Sequence, residues 1–227
     1  MPSILEKLMP PWSAIDTIMF DMDGTLLDLH FDNYFWQTLV PQMYAKEHGI
    51  PEQQAFELVK FKNDEARGSL EWYCLDYWAD ELKLNIKLLK NTITHKINLR
   101  PNVEKLLQQL RLDKKRMLLI TNAHPHSLEL KMQHTGLNSL FHDCISSHSL
   151  RLAKEHHGFW EKLQQHFPYD PSRTLLFDDS LPVLRQAQRE GIKYLYAIHQ
   201  PDSQRPGLAQ EEFPQVLDFD EIMPPRA

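Results

Sequence analysis

Ile18-Met19-Phe20-Asp21-Met22-Asp23-Gly24-Thr25-Leu26-Leu27 is an apolar run interrupted by two carboxylates, a glycine and a hydroxyl. It reads as a buried strand that ends in a polar turn. In an extended chain residues i and i+2 point to the same side, so Asp21 and Asp23 converge on one spot. Gly24 lets the backbone turn sharply as the loop leaves the sheet. Two acids this close repel each other and call for a shared proton or a cation. The stretch therefore reads as a functional site at the carboxyl end of a strand.

Runs with β-like composition lie at Thr17–Phe20, Met117–Ile120, Thr174–Phe177 and Lys193–Ile198, with Asp143–Ser146 a weaker fifth. Helical patterns separate most of them. Pro101 is read as opening one helix, through Val103, Leu106, Leu107 and Leu110, in the first-turn position that proline tolerates. Pro125 opens another that stops at Gly136, a third carries Phe159, Trp160, Leu163 and Phe167, and a fourth runs from Val183 to Arg189 with Gly191 as its cap. Strand and helix in alternation imply a parallel sheet covered on both faces. Three strands end in polar residues: Asp21, Thr121-Asn122 and Asp178-Asp179. Ligands of open α/β sheets bind beyond such ends, so the three point to one crevice.

About a hundred residues separate the first two strands, where a crossover needs a dozen or so. Residues 31–98 read as helical throughout, with Pro41 expected to kink or end the first helix. The segment from Pro201 to Ala227 reads as an irregular tail.

At 227 residues the chain suits one main domain with a sizeable insertion. No apolar run approaches the roughly 20 residues of a membrane span. The segment Met1 to Trp12 lacks the apolar stretch of a secretory leader, and Cys74 and Cys144 make no disulfide framework. A cytoplasmic setting is expected. The net charge is -6, without a basic stripe for backbone phosphates, so polymeric nucleic acid is not an expected partner. Lys114-Lys115-Arg116 is read as a solvated turn. An EF-hand loop is excluded: its sixth and twelfth positions should be Gly and Glu, and here they are Leu26 and Asp32.

Taken with Thr121-Asn122, Lys154 and Asp178-Asp179-Ser180, the pentapeptide Asp21-Met22-Asp23-Gly24-Thr25 resembles the motif set of the haloacid dehalogenase-like (HAD) hydrolase superfamily. The likeness covers residues from about 17 to 198. It implies an α/β fold: a Rossmann-like, doubly wound parallel sheet core of residues 1–28 and 99–227, with an all-α C1-type cap of residues 29–98 inserted after the first strand. It further implies Asp21 as nucleophile, Asp23 as acid and base, and Thr121, Asn122 and Lys154 on the phosphate. Mg²⁺ would be held by Asp21, Asp179 and the backbone carbonyl of Asp23, with Asp178 an outer ligand. One departure stands out: many relatives place proline after the motif lysine, whereas Lys154 precedes Glu155-His156-His157.

The physical need for these groups stands on its own. A carboxylate facing a phosphate dianion meets roughly 4 kcal/mol of repulsion per charge pair at ~4 Å and an effective dielectric near 20. A hard cation in an all-oxygen site offsets it, Lys154 adds a second positive charge, and Thr121 with nearby N–H groups holds the phosphoryl oxygens. A proton carrier at Asp23 favours phosphate over carbon–halogen chemistry.

His124, His126, His156 and His157 lack the pattern of a zinc site, although one imidazole of His124-Pro125-His126 is close enough to Thr121 to reach the crevice. The aromatics Tyr34, Phe35, Trp36, Trp72, Tyr73, Tyr77 and Trp78 read mostly as packing between cap helices, and one or two facing the crevice would suffice to stack a base. Asp28, Phe31 and Asp32 lie where substrate could enter from the cap side. The strings at 26–37, 72–78 and 121–126 are similar to the bacterial GMP/IMP nucleotidase group of the superfamily, which implies a purine mononucleotide as the small-molecule substrate. Two alternatives remain: a phosphatase or phosphomutase acting on sugar phosphates or other small phosphomonoesters, and a non-catalytic binding protein that kept the fold.

Overall fold

In the computed structural model, which describes residues 9–225, six strands form one sheet: β1 (Thr17–Phe20), β2 (Arg116–Thr121), β3 (Asp143–Ser146), β4 (Thr174–Asp178), β5 (Tyr194–Ile198) and β6 (Gln215–Val216). Residues 1–8, part of the segment examined for a leader, and residues 226–227 lie outside the described residues. The strand order is β3-β2-β1-β4-β5-β6 and every pairing is parallel. Successive connections thus run outward from β1 in one direction and then from β4 in the other. The gap between β1 and β4 is the switch point where an open α/β sheet binds ligands.

Both faces of the sheet are covered, which is why the strands are nearly continuous apolar runs. Ile18, Phe20, Leu119 and Phe177 face one cluster, with Leu106, Leu107 and Phe219. Met19, Leu118, Ile120 and Leu176 face the other, with Phe159, Trp160 and Leu184. The period of two along each strand divides the chain between two cores.

Between β1 and β2 the insertion carries α1 (His30–Tyr34), α2 (Val40–His48), α3 (Glu52–Ala66), α4 (Leu75–Leu82) and α5 (Ile86–Asn91). The first α-helix ends at Tyr34, and Pro41 stands in the first turn of the helix that begins at Val40. Residues Phe35–Leu39 form a π-helical turn that joins α1 to α2, and Pro41 sits buried in the first turn of α2. Proline lacks an N–H and crowds the carbonyl four residues back, and the wider turn just before it relieves both. The two strands that leave the core for the insertion lie side by side. Leu27 bridges Leu99, Asp28 N–H donates to Asn98 O at 2.9 Å, and Arg100 N–H donates to Leu26 O at 2.9 Å.

The flanking helices are α6 (Val103–Leu112), α7 (Pro125–Thr135), α8 (Phe159–His166) and α9 (Leu181–Arg189). Pro101 lies in a turn rather than inside α6, because Asn102 takes a left-handed conformation with φ 59° and the helix begins only at Val103. The tail is more regular than its composition suggested: it supplies β6 and a 3₁₀ turn at Phe219–Ile222 that packs on Phe177. Before β6, residues 201–205 return to α1. Asp202 is buried, accepts from Asn33 Nδ2 at 2.6 Å and pairs with Arg205, while Leu29 N–H donates to Pro201 O. Nor is the basic triplet simply solvated, since Lys115 donates to the carbonyls of Trp12 and Ile15.

Candidate active site

Register places the polar strand ends together. Phe20 is level with Leu119 of β2 and Phe177 of β4, so Asp21, Thr121 and Asp178 emerge within one residue of the same height. A cavity of about 690 Å³ opens above them, and Asp21, Asp23, Thr121, Asn122, Lys154, Asp178 and Asp179 all line it. Every residue singled out for phosphate or metal chemistry in the sequence therefore reaches one place.

Lys154 occupies the centre. Its ammonium lies 2.5 Å from Asp21 Oδ1, 2.7 Å from Asp178 Oδ2 and 3.1 Å from the Ile120 carbonyl, so each of its three protons has an acceptor. The side chain is almost wholly buried. Desolvating an ammonium costs several kcal/mol, and each carboxylate at ~2.7 Å returns roughly 6 kcal/mol at an effective dielectric near 20. One partner would about balance the loss; two make the charge secure. Burial would draw the Lys154 pKa down, but Asp178 and Asp21 outweigh it and the pKa is raised.

The carboxylates pay the converse electrostatic penalty. Burial pushes Asp21 up to about 6, with the Asp178 charge adding to the effect and Lys154 opposing it. Burial and the charges of Asp21 and Asp178 push Asp179 well above the usual carboxylate range. Asp21, Asp178 and Asp179 each offer an oxygen, all within 4.8 Å of one another. Such a trio of hard oxygen donors with raised pKa values fits a divalent cation, which would reverse the repulsion among them. The three are not equivalent. Asp178 spends Oδ2 on Lys154 and accepts the Ser180 N–H at 2.9 Å on Oδ1, whereas Asp179 enters no ion pair among the described residues. Gly24 makes room for Asp179. At φ +88° it holds a backbone shape side chains resist, and a Cβ there would stand 2.5 Å from Asp179 Oδ2.

Asp23 turns away from this trio to a second ammonium. Lys131 of α7 lies 2.6 Å from Asp23 Oδ1 and 2.6 Å from Asp32 Oδ2, and Lys90 of α5 holds the other Asp32 oxygen at 2.9 Å. Burial, then the Asp32 charge, carry Asp23 up to about 6 against the pull of Lys131. Burial acts on Asp32 in the same sense, but Lys131 and Lys90 together hold it down at about 2. Neither lysine stood out in the sequence. The available signal was that Ser127, Leu128, Lys131 and Met132 share the buried face of α7. A lysine at helical spacing among apolar residues reads by default as one whose stem packs and whose head reaches water.

Asn122 reaches the cavity with both ends of its amide engaged. Its Oδ1 accepts the Lys154 N–H at 2.9 Å and its Nδ2 donates to Glu155 Oε2 at 2.8 Å. Glu155, directly after Lys154, also accepts from Tyr73 OH of the insertion at 3.0 Å. Thr121 Oγ1 accepts the Ala123 N–H at 3.0 Å, which leaves its proton to donate. Of the histidines near Thr121, His124 lines the cavity, 3.2 Å from Asp76. Among the cap aromatics Trp36, Trp72 and Tyr73 line it, while Phe35 and Trp78 are packed in the core. Asp32 faces the cavity; Phe31 is buried in the core, and Asp28 accepts from the His30 and Ser203 N–H groups.

The haloacid dehalogenase-like hydrolase family matches residues 15–191 of the chain. The GMP/IMP nucleotidase YrfG of Escherichia coli (strain K12) is 37% identical over 216 residues, 94% of this chain and 96% of the relative. The protein of the same name from Shigella flexneri matches to the same extent. Among solved structures, a HAD phosphatase from Thermococcus onnurineus superposes with TM-score 0.76 at 20% identity, covering 91% of this chain and 95% of the other. A putative beta-phosphoglucomutase from Thermotoga maritima gives TM-score 0.64 at 17% identity, covering 92% and 97%.

Two outcomes are expected from this geometry. Replacing Gly24 by Ala should displace Asp179 and cost divalent-cation affinity at least 10-fold, since the added carbon meets its carboxylate; calorimetric titration with the cation would measure this, and unchanged affinity would contradict it. The second concerns pH. Carboxyls whose pKa is raised by folding from 3.8 to about 6 contribute stability below their unfolded pKa and lose it as pH rises through 6. In EDTA the thermal midpoint should therefore drop by roughly 5 °C between pH 5 and pH 8, for a loss on the order of 2 kcal/mol. Added divalent cation should recover more at pH 8 than at pH 5, and a pH-independent cation effect would show that the carboxylates are not its ligands.

Proposed function

The chain belongs to the haloacid dehalogenase-like hydrolase family and is a phosphomonoester hydrolase, and we propose that it is a Mg²⁺-dependent 5′-nucleotidase acting on purine mononucleotides such as GMP and IMP. The observation that carries the reading is the buried Lys154 ammonium between Asp21 and Asp178, at the switch point of the sheet and beside Asp179. Asp21 has one oxygen on Lys154; the other is the nucleophile that attacks phosphorus and expels the nucleoside oxygen. Lys154 and the Thr121 hydroxyl take charge from the phosphoryl oxygens. Asp23 gives its proton to the leaving oxygen, then takes one from the water that opens the aspartyl-phosphate. Its raised pKa suits a group that must hold a proton in one step and release it in the next. Asn122 fixes the Lys154 backbone through Oδ1, and the second proton of its Nδ2 is left for a phosphoryl oxygen.

Asp21 and Asp179, with the Asp23 carbonyl, would hold Mg²⁺, and Asp178 would reach it through water because Lys154 and Ser180 already engage its oxygens. The ion supplies neutralisation of the phosphate against the Asp21 carboxylate.

Support for a nucleotide comes from the nucleotidase relative, whose likeness runs through the insertion, and from the outer cavity. About 690 Å³ is room for a mononucleotide, and Trp36 and Trp72 line it, Trp72 donating to Asn63 Oδ1 at 3.0 Å with the Arg67 guanidinium 5.9 Å from its ring. An aromatic face with guanidinium and amide donors suits a flat base that carries oxygen and nitrogen acceptors.

Asp21→Asn should reduce turnover at least 10⁴-fold and abolish aspartyl-phosphate formation while the circular dichroism and thermal midpoint persist; substantial residual activity would remove Asp21 from the chemistry. In a panel of phosphomonoesters at equal concentration, GMP and IMP should exceed sugar phosphates in kcat/KM by 10-fold or more. The reverse order would identify a sugar phosphatase or phosphomutase. Absence of phosphate release with Mg²⁺, at a level that EDTA suppresses, would leave only a binding protein.

A further inference from the structure

The scheme above leaves one buried assembly of charges without a task. Lys131 is 1% exposed, and its ammonium joins Asp23 Oδ1 to Asp32 Oδ2 at 2.6 Å each. The other oxygen of Asp32 takes Lys90, itself buried and 3.3 Å from Ser127 Oγ. Aromatic rings close over the ammonium groups: Phe31 lies 4.9 Å from the Lys131 nitrogen and 5.3 Å from that of Lys90, and Phe35 lies 5.2 Å from the latter. The chain of contacts runs from the loop after β1, through α7 of the core, to α1 and α5 of the insertion, and back to α7 at Ser127.

Stability alone does not account for it. Apolar side chains of similar volume at these positions would pack at least as well as a desolvated ion network. An assembly meant only to seat the insertion would also need just Asp32, Lys90 and Ser127. Lys131 extends it to the one carboxylate assigned to the leaving group. With Oδ1 held, the Asp23 carboxylate loses its freedom to rotate, and Oδ2 is the oxygen left for the substrate. Because Asp32 sits on α1, the same contact forms only when the insertion is seated on the core. We propose that Lys131, braced by Asp32, is a positioning residue that orients Asp23 toward the leaving oxygen of the substrate.

This rests on the role given to Asp23, and the test separates the two. Lys131→Met alone leaves two carboxylates without their shared cation and destabilises the fold, so the informative variant is the pair Lys131→Met with Asp32→Asn, which removes one charge of each sign. Its thermal midpoint in the presence of Mg²⁺ establishes that it folds. The readout is kcat/KM for two substrates: GMP, whose leaving alkoxide needs a proton, and p-nitrophenyl phosphate, whose phenolate leaves without one. The double variant should lose about 30- to 100-fold on GMP and at least 10-fold less on p-nitrophenyl phosphate, the pattern that Asp23→Asn should show more strongly. Equal losses on both substrates, or no loss on GMP, would overturn the proposal while Asp23→Asn retained its split. A double variant that does not fold would also overturn it, by making the network structural. If Asp23→Asn itself spares GMP, the assignment of Asp23 falls and the role of Lys131 with it.

Discussion

A single ammonium, that of Lys154, is what the arrangement of this molecule turns on. It lies where β1 and β4 end side by side, and it ties Asp21 of one to Asp178 of the other. Without it two buried carboxylates would face each other at the carboxyl ends of the strands, and removing a partner from a buried ion set of this kind typically costs 3–5 kcal/mol. The backbone of Lys154 is fixed in turn by Asn122, and Asn122 by Glu155, so the loop holding the cation is built from the loop after β2. Tyr73 adds the insertion to the same chain of contacts. Charge placement, more than packing, sets where the loops at this end of the sheet must lie.

The cavity is divided electrically into two halves that share a wall. On one side Asp21, Asp178 and Asp179 surround Lys154, with raised carboxyl pKa values that fit a hard cation. On the other, Asp23 and Asp32 surround Lys131, and Asp32 is fully ionised at any moderate pH. Two acids separated by one residue in the chain thus live in different fields. In the proposed reaction the two would divide the work by partner and position, since folding raises both pKa values to about 6.

How far the sequence could be read depended on the range of the interaction involved. Strands β1, β2, β4 and β5 were visible because a strand buried on both faces must be apolar along its length, β3 with its Asp143 less so, and the polar ends of β1, β2 and β4 were visible because each breaks such a run. Asp21, Thr121 and Asp179 stand at or just past those ends, whereas Lys154 was placed by resemblance to the family's motifs. Strand β6 escaped because two residues, Gln215 and Val216, carry no pattern, and only pairing with Ala197 and Ile198 makes them a strand. At Pro41 the local rule for proline foresaw an interruption of the helix but not the π turn upstream that takes it up. Lys90 and Lys131 were invisible because their acidic partners lie 58 to 108 residues away, and nothing in a helix's own sequence announces a buried ion pair.

The two strands that carry the chain out to the helical insertion and back are joined to each other at Leu27 and Leu99, with Asp28 and Arg100 completing the ladder. Entry and exit are therefore neighbours, and whatever hangs beyond them is invisible to the sheet. A lineage can exchange, lengthen or shorten that module without rerouting β1 or β2, so substrate range is free to diversify while the phosphoryl-transfer machinery stays put. The exchange is not wholly free. A replacement module must still present a carboxylate where Asp32 stands and a hydroxyl where Tyr73 stands, or it inherits a centre whose Lys131 and Glu155 have lost their counterparts.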